Sequence, residues 1–270
     1  MTDASAPTLR GLDLEAHLCT PAIRQRYVTT MFEMIAPKYD RFTRAFSFGM
    51  DVAWKNELLG RLRPTLRTDA QVLDLACGTG DLAASLARLV PDGRVRGIDA
   101  APTMIGCARE RGQDVGNLRF DVGDMMALEV PDSSQDVVTI GYGLRNVPDH
   151  RVALREIHRV LKPGGVLANL DFALPEPGAW RWLFLRYLKT MGDAYGWLWH
   201  GEPAVYGYIS RSIAHFITIR QLAADLVASG FAIEYESPKL NGGVCLHVAR
   251  KTMSGVRSPG SGVGLAEVSG

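Results

Sequence analysis

Residues 72–83 read VLDLACGTGDLA. An apolar run enters a glycine turn and continues directly into a second apolar segment, so the spacing predicts a strand, a tight turn and the start of a helix. Gly78 and Gly80 let the backbone approach a ligand closely and adopt φ values that a Cβ would penalise. Outward from this unit, RVRGIDA (94–100), LRFDVGD (118–124), DVVTIGYG (136–143) and VLANLDFA (166–173) are further short apolar runs, each next to a segment with 3.6-residue spacing. Strands alternating with helices predict βαβ units and a mostly parallel sheet. The last two runs, FAIEYESP (231–238) and VCLHVARK (244–251), have no helix between them and predict an antiparallel hairpin around Asn241-Gly242-Gly243. The expected fold is α/β, a doubly wound, mostly parallel seven-stranded sheet.

Before the first strand, residues from about 21 to 63 read as a helical cap, interrupted at FSFGM, where Gly49 precedes an amphipathic stretch. After the fifth strand, about 175–216 reads as a helical lid; its segment LPEPGAWRWLFLRYLKTMGDAYGWLWHGEP holds Trp180, Trp182, Trp197 and Trp199. Residues 1–20 are polar and 252–270 are rich in Gly and Ser, so both ends are expected to be disordered around one domain spanning 21–251. No composition break marks a second domain.

Lys and Arg total 30 against 29 Asp and Glu, and a net charge of +1 supplies no general attraction for nucleic acid. Cys19, Cys77, Cys107 and Cys245 are scattered without CxxC pairs, which disfavours disulfides and metal sites and predicts reduced thiols in a cytoplasmic protein. The N-terminus lacks a basic segment followed by an apolar one, so no signal peptide is expected, and no apolar run approaches the ~18 residues of a membrane span.

The glycine turn alone also fits a dinucleotide fingerprint, GTGDLA. Asp99 closes the next strand, where a carboxylate can accept both ribose hydroxyls, a feature that nicotinamide enzymes share. Asp74, inside the first strand, and Asp124, after the third, separate the readings. So much negative charge does not suit a pyrophosphate, whereas a ligand bearing an ammonium, a sulfonium and an adenine amine tolerates it. A strand-turn role for Asp74 and a helix cap for Asp124 are the structural alternatives.

This spacing, together with RVLKPGGVLANLDF (159–172), resembles class I S-adenosylmethionine-dependent methyltransferases. The resemblance implies that the turn Gly78-Thr79-Gly80 wraps the methionine part, that Asp99 binds ribose, and that Asp124 and Met125 meet the adenine. Met104 is placed on the other adenine face or in the core.

Three more segments, MFEMIAPKYDRFTRAFSFGMDVAWK (31–55), GYGLRNVPD (141–149) and YGYISRSIAHF (206–216), resemble the ubiquinone/menaquinone biosynthesis C-methyltransferase family. The resemblance runs from about residue 24 to 251 and implies methylation of a ring carbon on a lipophilic, prenylated hydroquinol. Such a carbon becomes nucleophilic as its ring hydroxyl loses a proton, so the site needs a group that stabilises phenolate. Arg145 is assigned that role, holding a water, with Asn146 orienting it; an ion pair with Asp149 is the structural alternative. Tyr39 is expected near the methyl donor, and Tyr206 and Tyr208 on the acceptor side.

His247 matches a family histidine but alternates with apolar neighbours on what reads as an edge strand; His150 and His158 read as solvated helix residues. Thr43 stands where the family usually carries Asn, and the Trp-rich lid is only weakly similar. A shorter quinol, another lipid-linked phenol or a phospholipid amine therefore stays compatible, as do N- or O-methylation and a non-catalytic cofactor-binding subunit. The amphipathic lid fits peripheral contact with the inner membrane face or the interface of a homodimer.

Overall fold

The computed structural model describes residues 21–36, 39–200 and 204–252. The segments 1–20 and 253–270, expected to be disordered, lie outside the described residues. Three helices come first: α1 (Pro21–Ile35), α2 (Tyr39–Phe46) and α3 (Met50–Leu62). The break between α2 and α3 falls at FSFGM, where Phe48 (φ 51) and Gly49 (φ 76) are both left-handed.

The alternating part follows as β1 (Gln71–Leu75), α4 (Asp81–Ala87), β2 (Arg94–Asp99), α5 (Pro102–Gly112), β3 (Leu118–Val122), β4 (Gln135–Gly141), a 3-10 turn (Leu144–Asn146), α6 (His150–Val160) and β5 (Leu161–Phe172). Then come α7 (Ala179–His200), α8 (Ala204–Ala214), α9 (Ile219–Ala228), β6 (Phe231–Lys239) and β7 (Val244–Lys251).

The sheet has seven strands in the order β3-β2-β1-β4-β5-β7-β6. Strands β1 to β5 pair in parallel, and β7 runs antiparallel to both neighbours, β5 and β6. The turn between β6 and β7 places Asn241 (φ 48) and Gly242 (φ 89) in the left-handed region, as the Asn-Gly signature requires. Because β7 inserts between β5 and β6, His247 lies on an interior strand and not on an edge: it pairs in register with Asn169 on one side and Glu236 on the other, and is 1% exposed.

Two apolar layers sandwich the sheet. Leu58 and Leu62 of α3, Leu82 and Leu86 of α4 and Ile105 of α5 cover one face, while Leu154 and Ile157 of α6 and Leu222 and Leu226 of α9 cover the other. Burying such side chains contributes roughly 1.5–3 kcal/mol each before chain entropy is set against it. A third cluster joins Ile35 and Phe46 to Met104, Phe184, Leu188 and Ile213, so helices from both ends of the chain meet over the carboxyl ends of the central strands.

Helix α6 begins where the Asp149 carboxylate accepts from Arg151 N and Val152 N, and α9 begins with a capping box of Thr218 and Gln221. The two helix histidines are partnered, not solvated. His150 Nε2 lies 2.7 Å from Asp225 Oδ2 with its ring edge-on to Phe216, and His158 packs edge-on against Phe231.

Candidate active site

Strands β1 and β4 are neighbours, yet the helices that follow them lie on opposite faces of the sheet. A crevice opens at the carboxyl ends of strands at such a point. Both chains leave it through left-handed residues that are not glycine, Ala76 (φ 50) after β1 and Tyr142 (φ 63) after β4. At Gly143 an added Cβ would lie 2.3 Å from Ala76 Cβ, so the position after Tyr142 admits no side chain.

A first cavity in this crevice is lined by Gly78, Asp99, Met104, Asp124 and Met125, together with Tyr39, Tyr142 and Asn146. Asp99 organises it. Its Oδ2 accepts from Gly78 N and its Oδ1 from Ala101 N, each at 2.9 Å, so one carboxylate ties the glycine turn to the start of α5. Burial raises the Asp99 carboxyl above the usual carboxylate range in spite of these two donors. Asp124 Oδ1 accepts from Met126 N at 2.8 Å.

Thr79, Gly80 and Asp74 are placed differently. Thr79 Oγ1 donates to Asp40 Oδ1 at 2.7 Å, and Arg111 reaches both residues, so the turn is latched to α2. Burial works against the Asp40 carboxylate, yet its bonds to Arg111 and Thr79 hold it below the usual range. Gly80 (φ 82) starts α4, and a Cβ there would lie 2.6 Å from Phe120 Cζ, so this glycine serves packing. Asp74 lies with Lys55, Thr79 and Asp81 around a smaller space behind the turn. It accepts from Thr139 Oγ1 at 2.6 Å, and burial pushes its carboxyl up to about 7. Asp74 therefore holds its negative charge less readily than an exposed carboxylate would.

A second cavity shares Phe32, Tyr39 and Tyr142 with the first and adds Thr43, Asp51, Trp54, Arg145, Phe172 and Tyr208. Arg145 Nη1 donates to Asp171 Oδ1 at 2.6 Å and to the Tyr142 carbonyl at 2.5 Å, and its guanidinium lies 4.9 Å over the Phe172 ring. The pair is almost sealed, with side chains 6% and 1% exposed. An ion pair with Asp149 is thus excluded, since that carboxylate caps α6. Asn146 Nδ2 also donates to the Tyr142 carbonyl, at 3.3 Å, and Asn146 Oδ1 accepts from Tyr208 Oη at 3.5 Å. Burial raises the Tyr39 hydroxyl above its ordinary value despite the nearby cations Lys55 and Arg145.

Of the other expected acceptor residues, Tyr206 falls within α8 but its side chain lies outside the described residues. His247 meets Glu236 Oε2 at 3.2 Å and Cys245 Sγ at 3.7 Å inside the sheet, away from both cavities. Among the described residues, Cys77, Cys107 and Cys245 are free thiols and no cluster of His, Cys, Asp and Glu could hold a metal; Cys19 lies outside them.

A third cavity, of 410 Å³, lies between α2–α3 and α7 and shares Phe46, Ser47, Trp54 and Phe172 with the second. Trp180, Leu183, Phe184, Tyr187 and Leu188 complete an apolar wall, and Phe48 and Leu183 are exposed at its rim.

Residues 21–251 match the ubiE/COQ5 methyltransferase family. The chain belongs to that family. It is 38% identical over 207 residues to the demethylmenaquinone methyltransferase of Thermus thermophilus, covering 76% of this chain and 93% of the relative. It is 32% identical over 231 residues to that of Geobacillus kaustophilus, covering 84% of this chain and 98% of the relative. Among solved structures, the [4+2]-cyclase SpnF is similar with a TM-score of 0.61 at 19% identity, over 84% of this chain and 96% of that one. A likeness at that identity carries the fold alone, and one fold hosts many chemistries. The family establishes an S-adenosylmethionine-dependent methyltransferase.

The first cavity suits that cofactor: a buried carboxylate at the end of β2, a second carboxylate after β3, two methionines and a glycine turn without a Cβ wall all face one space. Several residues of the site escape the sequence reading. Asp171 is a lone charge inside VLANLDFA, and an unpaired charge in an apolar strand is itself a signal that a partner must exist. Asp40, Arg111 and Thr139 offer no local signal, because their partners are distant in the chain.

Proposed function

We propose that this methyltransferase moves the methyl group of S-adenosylmethionine to a ring carbon of a prenylated hydroquinol. The buried Arg145–Asp171 pair, opening on an aromatic cavity continuous with the cofactor cavity, carries the reading. The demethylmenaquinone methyltransferase name of the relatives supports a quinol acceptor.

Bound cofactor supplies an electrophilic methyl group on a sulfonium. In this reading Asp99 accepts the ribose hydroxyls, Asp124 and Met125 hold the adenine with Met104 on its other face, and the turn from Gly78 to Gly80 wraps the methionine part. Asp74 and Thr79 support that turn from behind. Tyr39 faces the methyl group from the seam between the cavities.

Arg145 stabilises negative charge growing on the acceptor oxygen and holds a water; it does not take the proton, because a guanidinium is too basic to be a proton acceptor. Asp171 and the Tyr142 carbonyl fix the guanidinium, while Asn146 and Tyr208 brace the same carbonyl. Tyr206 belongs with them on the acceptor side, and His247 is a sheet residue. As the ring carbon gains the methyl group, it loses its hydrogen as a proton and S-adenosylhomocysteine departs. Positioning the two reactants supplies much of the rate.

Helices α1–α3 act as a cap and α7–α8 as a lid, within one domain spanning 21–251. The third cavity suits the isoprenoid chain, and its exposed rim suits a bilayer surface. Among the described residues no helix is long and apolar enough to cross a membrane.

Incubating the protein with deuteromethyl-labelled cofactor and a reduced prenylated naphthoquinone, then locating the label by NMR and mass spectrometry, tests the reading. Label on the ring carbon is expected. An O-methyl ether, or no transfer, would overturn it.

A further inference from the structure

Tyr142 combines three features that neither its strand nor its helix neighbours require. Its backbone is left-handed at φ 63, a conformation that glycine adopts freely and that strains an aromatic residue. Its side chain is buried at 7% exposure, yet the hydroxyl oxygen has no hydrogen-bond partner among the described residues. A buried hydroxyl left in that state is costly, and such atoms ask for an explanation. Finally, the residue lines the first cavity, the second cavity and the space behind the glycine turn.

The residue is also held firmly in place. Tyr142 N donates to Leu170 O at 2.7 Å, and its carbonyl accepts from Arg145 and Asn146, so the backbone that carries the ring is the one that fixes the guanidinium. Phe172 packs against the ring with centroids 5.6 Å apart. Burial raises the hydroxyl well above the ordinary tyrosine range, and the nearby Asp51, Tyr39 and Asp171 add to the shift while Arg145 opposes it. Asp51 is engaged with Ser47 Oγ at 2.7 Å. Tyr142, which lines both cavities, is therefore a neutral phenol, able to donate its proton to an oxygen that comes within reach of its hydroxyl.

We propose that Tyr142 is the second polar anchor of the acceptor, its hydroxyl donating a hydrogen bond to one oxygen of a bound aromatic diol while Arg145 attends the oxygen beside the reacting carbon. This rests on the hydroquinol reading above. It names a specificity for diols over mono-ols: an acceptor lacking the far hydroxyl leaves Tyr142 unsatisfied in the complex, as in the free protein, and gains nothing from it.

The test uses the full chain and two probes, a 1,4-naphthohydroquinone bearing one prenyl chain and the matching naphthol that keeps the hydroxyl beside the reacting carbon and lacks the other. Tyr142→Phe retains the ring, its packing and its backbone. It is expected to raise KM for the diol about tenfold, the size of one neutral hydrogen bond, while KM for the naphthol and Kd for S-adenosylhomocysteine stay within about twofold. The preference for the diol then shrinks by the same factor. An equal loss on both probes would assign Tyr142 to packing, and an unchanged KM for the diol would show that the hydroxyl is not used; either result overturns the proposal. If the native protein binds S-adenosylhomocysteine but methylates neither probe, the hydroquinol reading itself fails and takes this one with it.

Discussion

Replacing Asp171 by Ala should damage stability and activity together, and a second substitution should separate the two. In the native protein the Asp171 carboxylate lies 2.6 Å from Arg145 Nη1 and also accepts from Arg145 N at 3.1 Å, with both side chains almost out of solvent. Removing it leaves a nearly buried guanidinium without this carboxylate, and breaking a buried pair on one side costs about 3–5 kcal/mol. Against a total of roughly 5–15 kcal/mol for a folded domain, this moves the urea midpoint visibly. Changing both partners, Arg145→Met with Asp171→Leu, removes the stranded charge and should return stability to within about 2 kcal/mol of the native protein. Methyl transfer should be lost in both variants. Urea titration followed by far-ultraviolet circular dichroism, alongside transfer of labelled methyl at saturating cofactor, measures both quantities. If Asp171→Ala unfolds at the native midpoint, the pair does not hold Arg145. If the apolar double variant keeps turnover, Arg145 does not act on the acceptor.

Asp99→Ala should weaken binding of S-adenosylhomocysteine by about 1–3 kcal/mol or more in calorimetric titration, because it removes both the proposed ribose partner and the tie between Gly78 N and Ala101 N; unchanged affinity would move the cofactor out of the first cavity. Asp74 titrates at about 7 when folded against 3.8 in the open chain, so the folded state keeps a proton that the unfolded state has released. Wild-type stability should therefore fall as pH rises from about 4 to about 7, by at most ~4 kcal/mol, and Asp74→Asn should flatten that slope; parallel curves for the two proteins would refute the shift. Phe48→Ser with Leu183→Ser should reduce binding to anionic liposomes and lower turnover on long-chain quinols more than on short-chain ones, since both residues are exposed at the rim of the third cavity; equal losses on both substrates would leave the rim without a role in chain binding.

The glycine-turn end of the crevice is legible in the sequence because its determinants are local. Strand, glycine turn and helix follow one another within residues 72–83, and Asp99 ends the next apolar run. The Arg145 end depends on pairings between strands. Asp149, four positions beyond Arg145, offers itself as a partner in the sequence, but a carboxylate just before a helix is claimed by the free N–H groups of its first turn. The carboxylate that does pair is Asp171, brought alongside by β5 lying against β4. His247 is misplaced for a related reason. Chain order puts its strand last, and the last strand reads as an edge; only the sheet order, with β7 between β5 and β6, reveals it as interior. The phase of a charge in an apolar strand is the signal that does survive, and Asp171 carries it.

Backbone strain at the crevice explains why the two ends meet where they do. Strands β1 and β4 send their helices to opposite faces, so each chain must turn sharply at the same level of the sheet, and each does so through one left-handed residue bearing a side chain, Ala76 or Tyr142. Their approach is so close that only glycine fits at 143. Glycine there brings the Tyr142 carbonyl within reach of Arg145 and Asn146, two and three positions further along the 3-10 turn. The Gly-Leu-Arg-Asn string thus encodes a geometry as well as a charge: the glycine permits the close crossing, the crossing turns the carbonyl, and the carbonyl together with Asp171 holds the guanidinium against the aromatic wall of the second cavity. A side chain at position 143 would push β1 and β4 apart at their ends and move Arg145 without touching it.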